Sequence, residues 1–544
     1  EATRVRGEQS VELMDARIGC LHASRRALAA TTDLLAHADD QVVERADDLV
    51  ASLPVLGRCG DVHALLDRFA APPFEQADEV EELRELVATA TSFERAGKYD
   101  EAAAALAPAI DRAAATAYDP VQTEVNLLLG TIRERQGRYE ESEQAHALAL
   151  QLGLRTGQWD EASRAATALV MTLGGFQRDT KRGLDFAPTA WGLLPRTSAP
   201  MRSEAELRRV LGNVYRGAGE LERAERELRA ALALTLEAPG TDAIDVSGIQ
   251  LALGSVLELR GDLDGARREL DAAVQSRTEH LGAEHPRTAN ARHNLAALFA
   301  KRGDFAAAER EYRAVLDVLV RAHGPRHPTV AMTRSNLAVV LDGTGHEEEA
   351  EAEKREVLEI FVEAYGPDHP HSLSARQNLA VTLGGRNKHA EAVVELRKVI
   401  AGLAANSDKD PTIATVRLNL GVELLEVGRT DEGIEELRAG VAMRVEMIGE
   451  SSLDAAEARA ELARALLDHD RAAEALPIAR ASWATFVKGD GPPLRRAWSA
   501  FALARALRAT HGDAAEARRL AETARDLLDR QSPARADIEA WLRD

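Results

Sequence analysis

Apolar and small residues recur along this chain at spacings of three and four positions, which is the pattern of one buried face on an amphipathic helix. Leu337, Ala338 and Leu341 are one example, and the same three residue types return 42 positions later. A turn residue follows each such run, and a second helical run begins directly after it. The pattern therefore predicts a chain of paired helices.

The turn residues recur with a fixed period. Successive turns lie 40 to 42 residues apart over eleven copies, and such self-similarity is the signature of a repeat array. Arg178 is the least typical member, because the nearby Gly174 and Gly175 also favour a turn. The predicted turns are at Gly97, Gly137, Arg178, Gly219, Gly261, Gly303, Gly345, Asn387, Gly428, Asp470 and Gly512.

Two columns of small residues indicate that the two helices of each period, here called helix A and helix B, cross at close range. Five residues after the turn, in helix B, stand Ala102, Ser142, Gly183, Ala224, Ala266, Ala308, Ala350, Ala392, Gly433, Ala475 and Ala517. Seven residues before the turn, in helix A, stand Ala90, Gly130, Gly212, Gly254, Ala296, Ala338, Ala380, Gly421 and Ala463.

The composition agrees with helices and narrows the functional classes. Only 4% of the 544 residues are aromatic, and 68 basic against 89 acidic residues give a net charge of −21. Such an acidic surplus repels a phosphate backbone, so nucleic acid is not an expected partner.

No apolar run reaches the roughly 18 residues of a membrane span. Because the chain starts at Glu1 and no signal peptide stands there, we expect a piece of a longer protein or a processed one.

The small-residue columns resemble those of the tetratricopeptide repeat, although the 42-residue period exceeds that family's usual length of about 34. Three loops, at 282–286, 324–328 and 366–370, begin with Gly and end with His-Pro, and helix A carries Asn-Leu-Ala. Together they look like the kinesin-light-chain subtype, most clearly from about residue 243 to 450. The resemblance implies an all-α, right-handed superhelical solenoid of about eleven helix-turn-helix repeats, which binds a protein or peptide in its concave groove.

The first eighty residues form a separate predicted helical segment. Residues 8–38 predict one helix, residues 41–53 a second, and a third begins near Asp61. At the other end, Ser532 and Pro533 start a short helix that covers the last repeat. We therefore predict three domains: a helical subdomain at 1–80, the solenoid at 81–530 and a capping helix at 531–544.

Several phrases of the N-terminal segment resemble the region that follows the kinase domain in large bacterial serine/threonine kinases of the myxobacterial type. They are the opening decapeptide 1–10, Cys20-Leu21 with Arg25-Arg26, the pentapeptide 42–46, and Leu53-Pro54 leading to Cys59 and Asp61. The resemblance implies the sensor or docking part of such a kinase. In that family a membrane span often precedes this region, which implies the extracytoplasmic side of the inner membrane if a span precedes Glu1; the alternative is the cytoplasm.

No catalytic motif stands in the chain. It lacks the glycine-rich loop, His-Arg-Asp and Asp-Phe-Gly of kinases, and also the P-loop, Gly-x-Ser-x-Gly and His-Glu-x-x-His. We therefore expect no enzyme activity and no cofactor in this chain. His285, His327 and His369 each precede a proline, one in each of three successive repeats. Because the spacing of adjacent repeats keeps them too far apart to chelate one ion, we interpret them as residues that close the loop and expect no metal site.

One polar column of helix A is a candidate binding surface. Asn294, Asn336, Asn378 and Asn419 are predicted to lie opposite the buried stripe, on the concave wall of the superhelix. An amide both donates and accepts hydrogen bonds, so the column suits the backbone of an extended peptide; in the resembled subtype this Asn contacts bound peptide. The alternative is that these amides bond neighbouring helices and order the stack. The preceding positions, His293, Ser335 and Gln377, are candidate specificity positions.

A second column, two residues before the asparagines, is interpreted as structural. It consists of Arg292, Arg334, Arg376 and Arg417, with Arg208 and Arg459 in the outer repeats. We expect each stem to pack and each guanidinium to pair with a Glu of helix B.

Cys20 and Cys59 are the only cysteines. Two interpretations stay open: two buried thiols, or one disulfide, which would need an oxidising compartment.

The leading functional hypothesis is a non-catalytic module that binds a protein or peptide and belongs to a bacterial serine/threonine kinase. The alternative is a stand-alone scaffold with no attached kinase.

Overall fold

The computed structural model describes residues 11–54, 56–60, 72–238, 242–406, 410–488, 491–529 and 532–543. Within these residues the regular structure is entirely helical, which confirms the predicted all-α class. The chain divides into two compact units, Glu1–Pro325 and Arg326–Asp544.

The N-terminal segment begins with one long helix, α1 (Val11–Ala36), as predicted. The predicted second helix is wrong as a single element, because it breaks at Arg45 into α2 (Asp40–Glu44) and α3 (Ala46–Ala51). A short 3-10 turn follows at Leu56–Gly60. The third predicted helix lies outside the described residues. Lys98 of the first repeat pairs with Asp39, which ties this segment to the array.

From Ala77 onward the described residues form eleven consecutive helix pairs and one final helix. The pairs of the first unit are α4 (Ala77–Arg95) and α5 (Tyr99–Ala115), α6 (Asp119–Arg135) and α7 (Tyr139–Thr156), α8 (Trp159–Met171) and α9 (Thr180–Leu193), α10 (Pro200–Gly217) and α11 (Leu221–Glu237), α12 (Ala243–Leu259) and α13 (Leu263–Leu281), and α14 (Pro286–Lys301) and α15 (Phe305–His323). The π-helical turn Thr172–Phe176 extends α8.

The second unit continues the same alternation of helix A and helix B. Its pairs are α16 (Pro328–Gly343) and α17 (Glu347–Tyr365), α18 (Pro370–Gly385) and α19 (His389–Asn406), α20 (Pro411–Glu426) and α21 (Thr430–Ile448), α22 (Leu453–Asp468) and α23 (Ala472–Lys488), and α24 (Pro493–Ala509) and α25 (Ala514–Asp526), followed by α26 (Pro533–Arg543). The final helix covers the last repeat: Ile538 is fully buried, and the guanidinium of Arg508 lies 3.7 Å from the ring centroid of Trp541.

The turns between helix A and helix B have the backbone conformation that their residues predict. Ten of the predicted turn residues, from Gly97 to Asp470, have φ between 58° and 84°, the left-handed region that glycine and asparagine tolerate best. The prediction is wrong at the last turn, where His511 takes the positive φ of 51°. Gly512 instead donates its N–H to the carbonyl of Leu507, five residues back, which is the bond made by the residue after the turn in nine of the other ten repeats.

The small columns lie where helix A and helix B cross. A Cβ atom added to Gly433 of helix B would lie 2.8 Å from the carbonyl oxygen of Gly421 in helix A. A Cβ added to Gly212 would lie 2.6 Å from Leu228, the buried residue nine positions after the turn. These separations leave no room for a larger side chain, so the columns set the distance between the paired helices.

Replacing Ala308 by Leu is expected to lower the free energy of unfolding of its repeat by about 1–3 kcal/mol, because three extra carbons must enter a crossing with no free volume. Ala308 is fully buried. Hydrogen exchange should show the loss mainly in repeat 6 and its neighbours, since stability in a solenoid is a nearest-neighbour property. Ala306→Leu on the exposed side of the same helix is the matched control. Equal losses from both variants, or a loss spread evenly over all repeats, would contradict the close crossing.

The position nine residues after the turn is a core position of helix B with two polar exceptions. Leucine is the most frequent residue there, for example Leu106, Leu228 and Leu270, which are fully buried. His146 occupies it in repeat 2 and Lys354 in repeat 7, with 1% and 6% of their surfaces exposed. Lys354 is paired: its ammonium contacts Asp342 of its own repeat and Thr382 of the next.

Candidate functional site

Helix A is positioned at its start by the histidine of the loop before it. The Nδ1 atoms of His285, His327 and His369 accept a hydrogen bond from the backbone N–H two residues later, at 3.0, 3.2 and 3.2 Å. Proline follows at the first helical position, where no N–H is needed. These residues are N-caps of helix A, and Asp410 makes the same cap in repeat 9 at 2.7 Å.

Helix A is held to helix B by ion pairs between the arginine column and glutamates 19 residues later. Arg292 pairs with Glu311 at 2.8 Å, Arg334 with Glu353 at 2.6 Å and Arg417 with Glu436 at 2.7 Å. Two more pairs of the same spacing are Arg376 with Glu395, and Arg208 with Glu227. Arg459 departs from this pattern, because Ile478 stands where the glutamate would be; its guanidinium donates to the carbonyl of Glu450.

The asparagine column lies away from these ion pairs, on the accessible side of helix A. Asn294, Asn336 and Asn419 are half-buried and Asn378 is exposed. Within the described part of the chain, the side-chain amides of Asn294, Asn378 and Asn419 make no hydrogen bond. Three amides that could each donate and accept are thus presented without an internal partner.

Exposed apolar side chains flank the asparagines of the second unit. On α16, Met332 and Val339 lie four residues before and three after Asn336, so they share its face. They are 52% and 57% exposed, and Val381, three residues after Asn378, is 58% exposed. These three residues were not predicted from the sequence. The signal was an apolar residue four positions before or three positions after the asparagine, where a solvated helix face would carry a polar residue.

We define the helix A stripe as the asparagine position together with the positions four before and three after it. In the second unit it comprises Met332, Asn336 and Val339 on α16, Ser374, Asn378 and Val381 on α18, and Thr415, Asn419 and Val422 on α20. A cavity of about 360 Å³ adjoins Thr415, whose hydroxyl accepts a hydrogen bond from Arg444 at 2.8 Å.

The predicted specificity positions, one residue before each asparagine, lie beside the stripe. His293 packs edge-on against Tyr312 of helix B, with ring centroids 5.3 Å apart, and burial lowers the pKa of its imidazole. Ser335 and Gln377 are half-buried, and the equivalent Leu418 is only 4% exposed. This column therefore adjoins the contact between helix A and helix B.

Family models for the tetratricopeptide repeat match the sequence at five places. One matches residues 245–319 and 297–361, and another matches residues 87–153, 209–280 and 418–484. Together these ranges cover more than half of the chain and fall on the helix pairs described above. The chain belongs to the tetratricopeptide-repeat family.

Solved structures similar to this tetratricopeptide-repeat chain include BtubC and a putative kinesin light chain. BtubC (BKLC) from P. vanneervenii is 20% identical over 42% of this chain and 91% of its own, with a TM-score of 0.37. A putative kinesin light chain of Podosopora anserina is 25% identical over 37% of this chain and 96% of its own, with a TM-score of 0.34.

The quorum sensor NprR from B. thuringiensis is 12% identical over 67% of this chain and 97% of its own, with a TM-score of 0.47. All three scores lie below 0.5, so the family assignment rests on the repeat models alone. No curated protein matches the sequence significantly.

The cysteines of this tetratricopeptide-repeat chain form a disulfide. Cys20 of α1 and Cys59 of the 3-10 turn are bonded, with Cα atoms 5.6 Å apart, and both residues are buried. Of the two interpretations left open by the sequence, the structure has the disulfide.

The residues that the structure describes offer neither a metal site nor a membrane-spanning helix. They contain no group of three or more His, Cys, Asp or Glu side chains placed to hold a metal ion. None of their helices combines the length and apolar character that crossing a bilayer requires.

Proposed function

We propose that this chain is a non-catalytic binding module that docks an extended peptide segment of a partner protein along the helix A stripe. The observation that carries the proposal is the asparagine column at one position of repeats 6 to 9, in which Asn294, Asn378 and Asn419 make no hydrogen bond within the described residues and exposed apolar side chains lie on the same face.

The chemistry of the stripe suits a peptide better than a small molecule. An extended backbone offers N–H and C=O groups at regular intervals, and each asparagine amide can pair with either. Met332, Val339 and Val381 offer apolar contacts for the side chains between these bonds. Regularly spaced shallow contacts suit an extended segment, whereas small-molecule sites are concave and enclose most of their ligand.

Replacing Asn336, Asn378 and Asn419 together by Ala is expected to weaken peptide binding by about 0.5–1.5 kcal/mol per lost hydrogen bond. Because the ligand is unidentified, the probe is a set of dodecapeptides selected from a random phage-displayed library on the wild-type chain. Affinities are measured by fluorescence anisotropy, and stability by thermal unfolding. The fold should be unaffected, since the core columns and the ion pairs are unchanged.

A matched control replaces one exposed helix B residue in each of the same repeats by Ala: Glu359, Lys398 and Glu435, which are 67%, 53% and 76% exposed. Unchanged affinity together with a large loss of thermal stability in the asparagine variant would show that the column orders the stack and does not bind peptide.

We further propose that the module is the sensor or docking part of a bacterial serine/threonine kinase, with residues 1–80, 81–530 and 531–544 as its parts. The support is the sequence resemblance of the N-terminal segment, and the disulfide in that segment suits an oxidising, extracytoplasmic location. The alternative is a stand-alone scaffold. Sequencing the gene upstream of Glu1 distinguishes them: a kinase domain and a membrane span are expected, and their absence would favour the scaffold.

A further inference from the structure

A second cavity, of about 450 Å³, opens between α22 and α24, the A helices of repeats 10 and 11. Its apolar wall is formed by Leu494, Trp498 and Phe501 of α24. Leu494 and Trp498 are 51% and 38% exposed, although both are large apolar side chains, and Phe501 is buried beneath them. The cavity can enclose one large side chain of a ligand.

The cavity lies at the position that the asparagine column reaches in repeat 10. Glu461, which lines it, stands two residues before the small residue Ala463, as Asn419 stands two before Gly421. Glu457 and Arg464, four before and three after Glu461, also line the cavity. The same face of helix A that carries amides in repeats 7 to 9 thus carries a carboxylate here.

Of the two carboxylates that line the cavity, Glu461 is the one without a close partner, and Arg464 beside it has no carboxylate nearer than 3.7 Å. Arg495 lies 3.1 Å from Asp454 and 2.8 Å from Glu457, and Arg505 lies 2.7 Å from Asp468, so both guanidiniums already have carboxylate partners.

Glu461 faces Arg464 at 3.8 Å, which is too long for a hydrogen bond, and its carboxylate makes none within the described residues. Burial raises the pKa of Glu461, although 37% of its side chain stays exposed and open to a ligand.

We propose that this cavity receives an apolar side chain of the docked peptide, and that a Lys or Arg next to that side chain pairs with Glu461. The inference rests on the proposed peptide-binding function and specifies the chemistry of the partner. A cation at this place also lies near the indole of Trp498, where attraction to the ring adds to the ion pair. The net charge of −21 favours the approach of a basic segment.

The test uses the full chain and the same random dodecapeptide library. Selection on the wild-type chain is expected to enrich peptides that carry a large apolar residue within two positions of Lys or Arg. Trp498→Ala and Leu494→Ser should each weaken the binding of these peptides by about tenfold, the loss expected when a side chain that lines an anchor pocket is truncated. Glu461→Gln should remove the preference for the basic residue and keep that for the apolar one. Leu494→Ser serves as the second variant, because this side chain is half exposed.

The control is Glu435→Gln on an exposed part of helix B, which should leave selection unchanged. Peptides that lose affinity in the triple asparagine variant but not in Trp498→Ala or Leu494→Ser would overturn the cavity proposal and leave the proposed function intact. Enrichment of acidic residues beside the apolar one would overturn the role of Glu461. Selection of no peptide by the wild-type chain would overturn the proposed function itself, and the cavity proposal with it.

Discussion

Reducing the bond between Cys20 and Cys59 is expected to destabilise the N-terminal segment by about 4 kcal/mol, the chain-entropy value for a closed loop of this length. The two residues are 39 positions apart. The segment has a small core of its own, Leu34, Val42 and Leu49 with Ala96 of the first repeat, so the cross-link supplies a large share of its stability. The repeats themselves contain no cysteine and should keep their protection.

Hydrogen exchange of α1 measured with and without reductant tests this expectation. Exchange in α1 should accelerate by orders of magnitude, while that in α16 to α25 stays constant. A Cys20→Ser, Cys59→Ser variant should exchange like the reduced chain and show no response to reductant. If reduction leaves α1 as protected as before, the bond does not stabilise this segment.

Lowering the pH from 6.5 to 4 is expected to cost about 3 kcal/mol of stability through His146 alone. Burial lowers the pKa of this imidazole to about 4, because no solvent reaches the charged form. The unfolded chain keeps the ordinary value near 6.5, so between these two pH values the unfolded state binds more protons than the folded one. The free energy of unfolding therefore falls as the pH falls through this window, and above the window no stability is lost through His146.

The comparison that isolates this effect is His146→Leu, which places in repeat 2 the residue found at the same position in repeats 1, 4 and 5. Chemical denaturation at pH 7 and pH 4 should show a smaller loss for the variant by about the same 3 kcal/mol. His280→Leu on an exposed surface is the control and should follow the wild type. Identical pH dependence of wild type and His146→Leu would refute the assignment.

The repeat geometry could be predicted because its main constraints act on single residues. A left-handed turn favours Gly or Asn, as at Gly97 and Asn387, and a close helix crossing excludes all but small side chains, as at Ala308. Both constraints restrict the residue type at a fixed position of every period, which can be read from the sequence. The exception at His511 shows the limit of this reasoning, because glycine follows directly and is the better turn former by residue type.

The remaining features depend on partners that are distant in sequence. The histidine caps could not be distinguished from plain loop residues, since the acceptor role of His327 depends on the backbone that it meets. The cavity beside Trp498 was missed because α24 departs from the 42-residue register, so no column pointed to it. The rare tryptophan next to an exposed Leu494 was its signal. The disulfide stayed open, because the distance between Cys20 and Cys59 follows from a fold that periodicity does not determine.

The ion pairs between helix A and helix B have a consequence for how such a gene can change its length. Both members of a pair, such as Arg292 and Glu311, lie within 20 consecutive residues of one period. Duplication or loss of a whole period thus copies or removes complete pairs and leaves the others matched. Contacts between successive repeats are different, and Lys354 is a buried example, because it also contacts Thr382 of the following repeat. A recombination breakpoint between these two would separate a buried ammonium from one of its partners, so repeats 7 and 8 are expected to be inherited together.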